Sequence, residues 1–194
     1  MKMVHLFLVS LLVGIITITL SCRNNNKSEE ITYDNDSVTF YPLRDFIQAQ
    51  INDVSKTPYF IYQLTTRQQK HDSVVITSQQ FADMASIFTR YVIDSPSVKK
   101  YYKEDAFNDA STNSITISYT TRNKKLPVQQ IDILLDPATQ KVKRAFLRIV
   151  ENKGDTTFNY RLGWKTDNSC SIATTIQPSK GNELSSQSTV VWND

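Results

Sequence analysis

The chain has 194 residues, 40% of them apolar, and only two cysteines. That much apolar side chain builds a core and excludes wholesale disorder, while the length suits one globular domain. A formal charge of +3 is too balanced for a general nucleic-acid binder, which gathers positive charge on one face.

The first 22 residues read MKMVHLFLVSLLVGIITITLSC. Lys2 opens the stretch, an apolar run from Leu6 to Leu20 follows, and Ser21-Cys22 closes it, the pattern of a secretory signal. The run falls short of the roughly 20 apolar residues that a membrane-spanning helix needs. Thr19-Leu20-Ser21-Cys22 resembles the lipobox of bacterial lipoproteins, with Thr19 where the family prefers Leu. The resemblance implies cleavage after residue 21 and lipid on Cys22, which anchors the chain in a membrane. Cleavage removes Lys2 alone of the charged groups and leaves 21 basic against 19 acidic side chains. A lipidated Cys22 leaves Cys170 without an internal partner; an unprocessed chain allows a Cys22–Cys170 bridge instead. Cys170 alternates with Ile172 and Ile176, which suits a small buried hydrophobe.

Residues 22–39 are rich in Asn, Ser and charge and predict a tether from Cys22 that spans about 20–25 Å. Lys27-Ser28-Glu29-Glu30 is similar to the charged export signal of Bacteroidota lipoproteins, and Arg23 resembles lipoproteins passed on to the outer membrane. Asp36-Ser37-Val38, Asp72-Ser73-Val74 and Asp155-Thr156-Thr157 resemble the short O-glycosylation site of the same bacteria.

Residues 40–194 form the expected domain. Pro42 starts a helix where its missing N–H costs nothing, with Leu43, Phe46, Ile47, Ile51 and Val54 on one face and Pro58 as its stop. Tyr59 to Thr65 reads as a strand, Arg67 to Asp72 as a polar turn and Val74 to Ile76 as the returning strand. Thr77-Ser78-Gln79-Gln80 reads as a capping box opening a helix that carries Phe81, Met84, Ala85, Phe88, Tyr91 and Val92 at helical spacing. Asp94-Ser95-Pro96 ends it. Ser97 to Asn113 reads as a short helix and an irregular loop.

From Ser114 the period changes to two. Ile115, Ile117 and Tyr119 alternate, then Ile131, Ile133 and Leu135, with a Pro-containing turn at 136–139. Val142 to Val150 reads as a central strand, and Phe158, Tyr160, Leu162 and Trp164 alternate on the next. Cys170 to Ile176 follows, then a polar loop over 178–188 and a last strand over 189–193 with Val190 and Trp192 on one side. The order predicts an α+β fold, two helices packed on a largely antiparallel meander sheet: α-β-β-α and then about six strands. Asp136 to Val142 resembles the Asp-x-x-Thr-x-x-Val hairpin of PepSY-type domains.

Chemistry is sparse. The expected mature chain holds one histidine, His71, in the polar turn, and has neither a zinc helix nor a paired Cys-x-x-Cys. Its glycines are isolated, so no phosphate cradle forms. No metal or cofactor is expected. Glu104, Asp105 and Asp109, among aromatics in the expected loop, could form a cation site or an acid/base pair on a sugar, or simply solvate a connector. Arg144, Phe146 and Arg148 share one side of their strand; with Ala145, Leu147 and Ile149 facing the helices, they make an exposed basic-aromatic strip for an acidic ligand or partner. The reading that follows is a non-catalytic cell-envelope protein, not an enzyme. The lipid on Cys22 holds it at the outer membrane, and it binds an envelope protein or a glycan rather than nucleic acid. An inhibitor or immunity-type protein and a carboxylate-based glycan hydrolase are the alternatives.

Overall fold

A computed structural model describes residues 32–34, 39–91 and 93–193. The expected signal segment, Cys22, most of the tether, Asp36-Ser37-Val38 and Val92 lie outside the described residues. Within the tether, the Tyr33 N–H donates to the carbonyl of Lys100 at 2.5 Å.

Helix α1 (Leu43–Lys56) follows Pro42 and buries Leu43, Ile47, Ile51 and Val54, the i, i+4, i+8, i+11 face that its apolar period defines. The chain turns extended at Thr57, ahead of Pro58. Strands β1 (Tyr62–Arg67) and β2 (Lys70–Val75) form a hairpin. Its loop is the two residues Gln68 and Gln69, both at positive φ (46° and 66°), where a five- or six-residue turn was expected. Positive φ at both central residues matches the right-handed twist of the flanking strands, and it outweighs the absence of Asn or Gly.

Helix α2 (Ser78–Ala85) begins at the expected capping box: the Gln80 N–H donates to Thr77 Oγ1 at 3.2 Å, and the Thr77 N–H donates to Gln80 Oε1 at 2.9 Å. Such a cap contributes about 1 kcal/mol. The helix is shorter than its apolar stripe suggests. Ser86, whose hydroxyl donates to the Asp83 carbonyl, separates it from the single turn α3 (Ile87–Arg90), and Tyr91 is extended. A further turn, α4 (Pro96–Lys99), has Pro at its start.

Seven strands follow: β3 (Lys103–Asp109), β4 (Ser114–Thr120), β5 (Val128–Leu135), β6 (Val142–Lys153), β7 (Thr156–Lys165), β8 (Ser169–Pro178) and β9 (Leu184–Val191). Two expectations are corrected here. Residues 103–109, read as loop, pair in register with β4, because backbone pairing needs no apolar alternation once a neighbour is present. The polar segment before 189, also read as loop, is strand from Leu184, its backbone paired in register along β8.

The sheet has nine antiparallel strands in the order β2-β1-β9-β8-β7-β6-β5-β4-β3. The meander from β3 to β9 is sequential, and the N-terminal hairpin closes onto β9. The helices cover one face, an α+β arrangement. Between them lies an aromatic nucleus: Trp164 and Trp192 with ring centroids 5.4 Å apart, Phe81 5.1 Å from Trp192, and Phe88 edge-on to Trp164 at 5.1 Å. Each such pair adds about 0.5–1.5 kcal/mol beyond its burial. At one end Gln50 and Asp167 exchange two hydrogen bonds, fixing α1 to the β7–β8 turn. At the other, the Tyr119 hydroxyl accepts from the Tyr41 N–H, and its ring packs on Phe40.

Candidate functional site

Strand β6 decides which face of the sheet is open. Ala145, Leu147 and Ile149 are buried, and Arg144, Phe146 and Arg148 project the other way, Phe146 being 41% exposed. In a strand successive side chains alternate faces, so the register assigns the neighbours of this strip. Arg144 lies opposite Lys165, Phe146 opposite Gly163, and Arg148 opposite Arg161. Two like-charged pairs therefore flank an aromatic-glycine pair. Directly opposed side chains leave the sheet about 5 Å apart, and like charges placed so are unfavourable. Arg144, Arg148, Arg161 and Lys165 form no ion pair with any described residue; ion pairs among the described residues are Lys103–Asp105 and Lys153–Glu151.

The strands beside this block keep it accessible. On β8 the facing positions are Ser169, Ser171 and Ala173, small side chains that leave the arginines and lysine standing above a low floor. Two hollows result. The larger, about 900 Å³, is lined by Lys124, Arg148, Arg161, Asn152, Asn159 and Gln177 among others, with Glu183 as its one carboxylate. Gln177 donates to Glu183 at 2.9 Å, and this single carboxylate against Lys124, Arg148 and Arg161 leaves the hollow net positive. The smaller, about 270 Å³, is bounded by Arg144, Phe146, Lys165, Ser171, Gln187 and Thr189. On the β5 side Asp132 faces Phe146, but its oxygens accept from Ser118 Oγ at 2.5 Å and Gln130 Nε2 at 2.8 Å.

The acidic residues singled out in the sequence do not converge. Because Lys103–Asp109 is a strand, Glu104 and Asp105 point to opposite faces. Glu104 is paired across to Tyr119 on the helix side, and Asp105 forms a salt bridge to Lys103 at 2.7 Å. Asp109 accepts from the Ser111 hydroxyl and N–H, bonds that hold its carboxyl below the usual range. Among the described residues no three His, Cys, Asp or Glu side chains are grouped as a metal site would require.

His71 sits on edge strand β2, bonded to Thr66 Oγ1 at 3.0 Å. Cys170 is buried, and burial pushes its thiol up to about 12. Of the resembled glycosylation sites, Ser73 lies on exposed β2, and Thr156 and Thr157 open β7. The 136–142 segment is a tight hairpin in which Asp136 Oδ1 accepts from the Ala138 and Thr139 N–H groups.

Sequence reasoning found Arg144, Phe146 and Arg148 but missed Arg161, Lys165, Lys124 and the amides. One signal was present. The unbroken alternation of Phe158, Tyr160, Leu162 and Trp164 leaves Arg161, Gly163 and Lys165 together on the opposite face. What the block offers chemically is charge-assisted hydrogen bonding to an anion, a ring for stacking, and amides that both donate and accept. No family model matches the chain, and neither a curated protein nor a solved structure matches it.

Proposed function

We propose that this is a non-catalytic binding protein of the bacterial cell envelope, held at the outer membrane by lipid on Cys22, whose open sheet face engages a protein or glycan partner. The observation that carries the reading is the block of unpaired cations around Phe146. Opposed like charges cost stability in the free protein and suit a surface completed by an anionic partner. The lipobox-like Leu20-Ser21-Cys22 supports the anchor. The hydrolase alternative draws no support from β3, where Glu104 is turned away from Asp105 and Asp109.

Fractionation and crosslinking test both halves. The chain is expected with membranes, Cys22→Ala in the soluble fraction, and a photocrosslinker at Phe146 is expected to trap a partner that Arg144→Gln/Arg148→Gln loses. Wild-type chain in the soluble fraction overturns the anchor. Crosslinking indifferent to the arginines overturns the face.

A further inference from the structure

We infer that the ligand of this face is an acidic oligosaccharide, bound along β6–β8 with its acid groups on the two cation pairs. The inference rests on the binding reading above and names its ligand class. Arg144 and Arg148 are four residues apart on one strand, about 13 Å at the usual rise, as are Lys165 and Arg161 on the next. One monosaccharide does not reach across that distance. The two pairs therefore meet acid groups on different sugar units of one chain, and Phe146, midway between them, lies under the ring that joins those units.

The composition of the larger hollow separates a glycan from an acidic protein. Protein–protein interfaces have apolar centres depleted of charge. Here Arg148, Arg161 and Lys124 share the hollow with Asn152, Asn159, Gln177 and Thr175. A sugar hydroxyl both donates and accepts, and a carboxamide offers both functions from one planar group. The Arg forks match a carboxylate or sulfate in two-point geometry. Phe146 is half exposed beside Gly163 and offers an aromatic ring for a sugar to pack on.

Calorimetric titration of the full chain tests this with a tetra-galacturonate, a heparin-derived tetrasaccharide, the methyl-esterified tetra-galacturonate and a tetra-glutamate peptide. At least one acidic tetrasaccharide is expected to bind, weakening as salt rises. For a galacturonate ligand, esterification is expected to cost tenfold or more. Arg148→Gln/Arg161→Gln is expected to cost about a hundredfold, since two charge-assisted contacts are lost. Asn159→Ala/Gln177→Ala is expected to cost about tenfold with both cations in place, which a purely electrostatic surface would not show. Equal binding of the glutamate peptide overturns the glycan class in favour of an acidic protein. Failure of both acidic tetrasaccharides, while Phe146 still crosslinks a partner, overturns this inference and leaves the binding reading standing. Failure of both, with no crosslink, removes the two together.

Discussion

The ring of Phe146 lies across the β6–β7 boundary onto Gly163, with two ring carbons 3.6 Å from the point where a side chain at 163 would begin. An aromatic ring over a strand glycine covers backbone that would otherwise meet water. The nearest obstacle to a methyl group there is Ser171 Oγ at 2.8 Å, the tip of a side chain that rotates.

Gly163→Ala is therefore expected to leave stability within about 1 kcal/mol of wild type. The gain from a stiffer unfolded chain, about 0.4–1 kcal/mol, offsets the displaced hydroxyl. With Ser171→Ala as background, the same change is expected to stabilise by about 0.5–1 kcal/mol. Urea unfolding of the four proteins measures the difference. A loss above 2 kcal/mol in both backgrounds would overturn this expectation.

Arg148 and Arg161 are expected to oppose the fold they belong to. Replacing Arg161 by Gln removes one like-charge pair and is expected to raise Tm by about 1–3 °C in low salt. The difference should vanish near molar salt, where screening falls within about 3 Å. An unchanged or lowered Tm at low salt would show that the arginines already splay apart.

Tyr91 donates to Glu151 at 2.6 Å, and Lys153 Nζ stands 3.0 Å from the other carboxylate oxygen. The tyrosine first, then Lys153, holds the Glu151 carboxyl below its usual 4.5. A group whose folded pKa is depressed stabilises above its unfolded value and loses that contribution as pH falls through the folded one. Tyr91 is raised to about 12, by burial first and then by Glu151. Its contribution is complete below about 10 and is lost as pH rises towards 12. Tyr91→Phe should cost about 1–2 kcal/mol at pH 7 and flatten both limbs, below 4.5 and above 10. Denaturation across pH, wild type against variant, reads this directly.

Burial and a thiol pushed up to about 12 make Cys170 a poor nucleophile. Alkylation by iodoacetamide at pH 8 is expected to proceed only as fast as the domain opens. Mass spectrometry of a timed reaction decides it. Complete labelling within minutes in native buffer would mean that β8 and β9 part locally.

The sequence was most informative where side-chain chemistry and backbone demand coincide. The Thr77–Gln80 box marks one helix start by local hydrogen bonds, and Pro42, which makes no cap bond, marks another by its restricted backbone. The β6 alternation separates core from surface because one face is buried. It was silent where tertiary pairing overrides composition. Lys103–Asp109 and Leu184–Ser188 are strands held by their neighbours' backbones, and the Gln68-Gln69 turn carries no glycine. The site was half legible for the same reason. Arg144, Phe146 and Arg148 lie on one strand, but that Arg161 faces Arg148 is a fact of register between strands. The covered face fixes that register, since a slip by one residue would turn Leu162 and Trp164 outward.

The closure of β1 onto β9 joins the two ends of the folded chain, Tyr62 against Val191 and Arg67 against Ser186. Every other strand pairs with its neighbour in sequence, across a short connection, and this one carries the largest loop-closure entropy. On a chain made from its N-terminus, the β1–β2 segment is synthesised long before it has a sheet to join, and Leu64, Val74 and Val75 remain exposed even once it has docked. Docking of the hairpin is therefore expected to be the slow step of folding. Pulse-labelled hydrogen exchange should find the amides that bridge β1 and β9 protected after those of β6 and β7. A chain ending before Leu184 should keep its meander and lose the hairpin, the form most prone to pair with a neighbour through the vacant edge of β8.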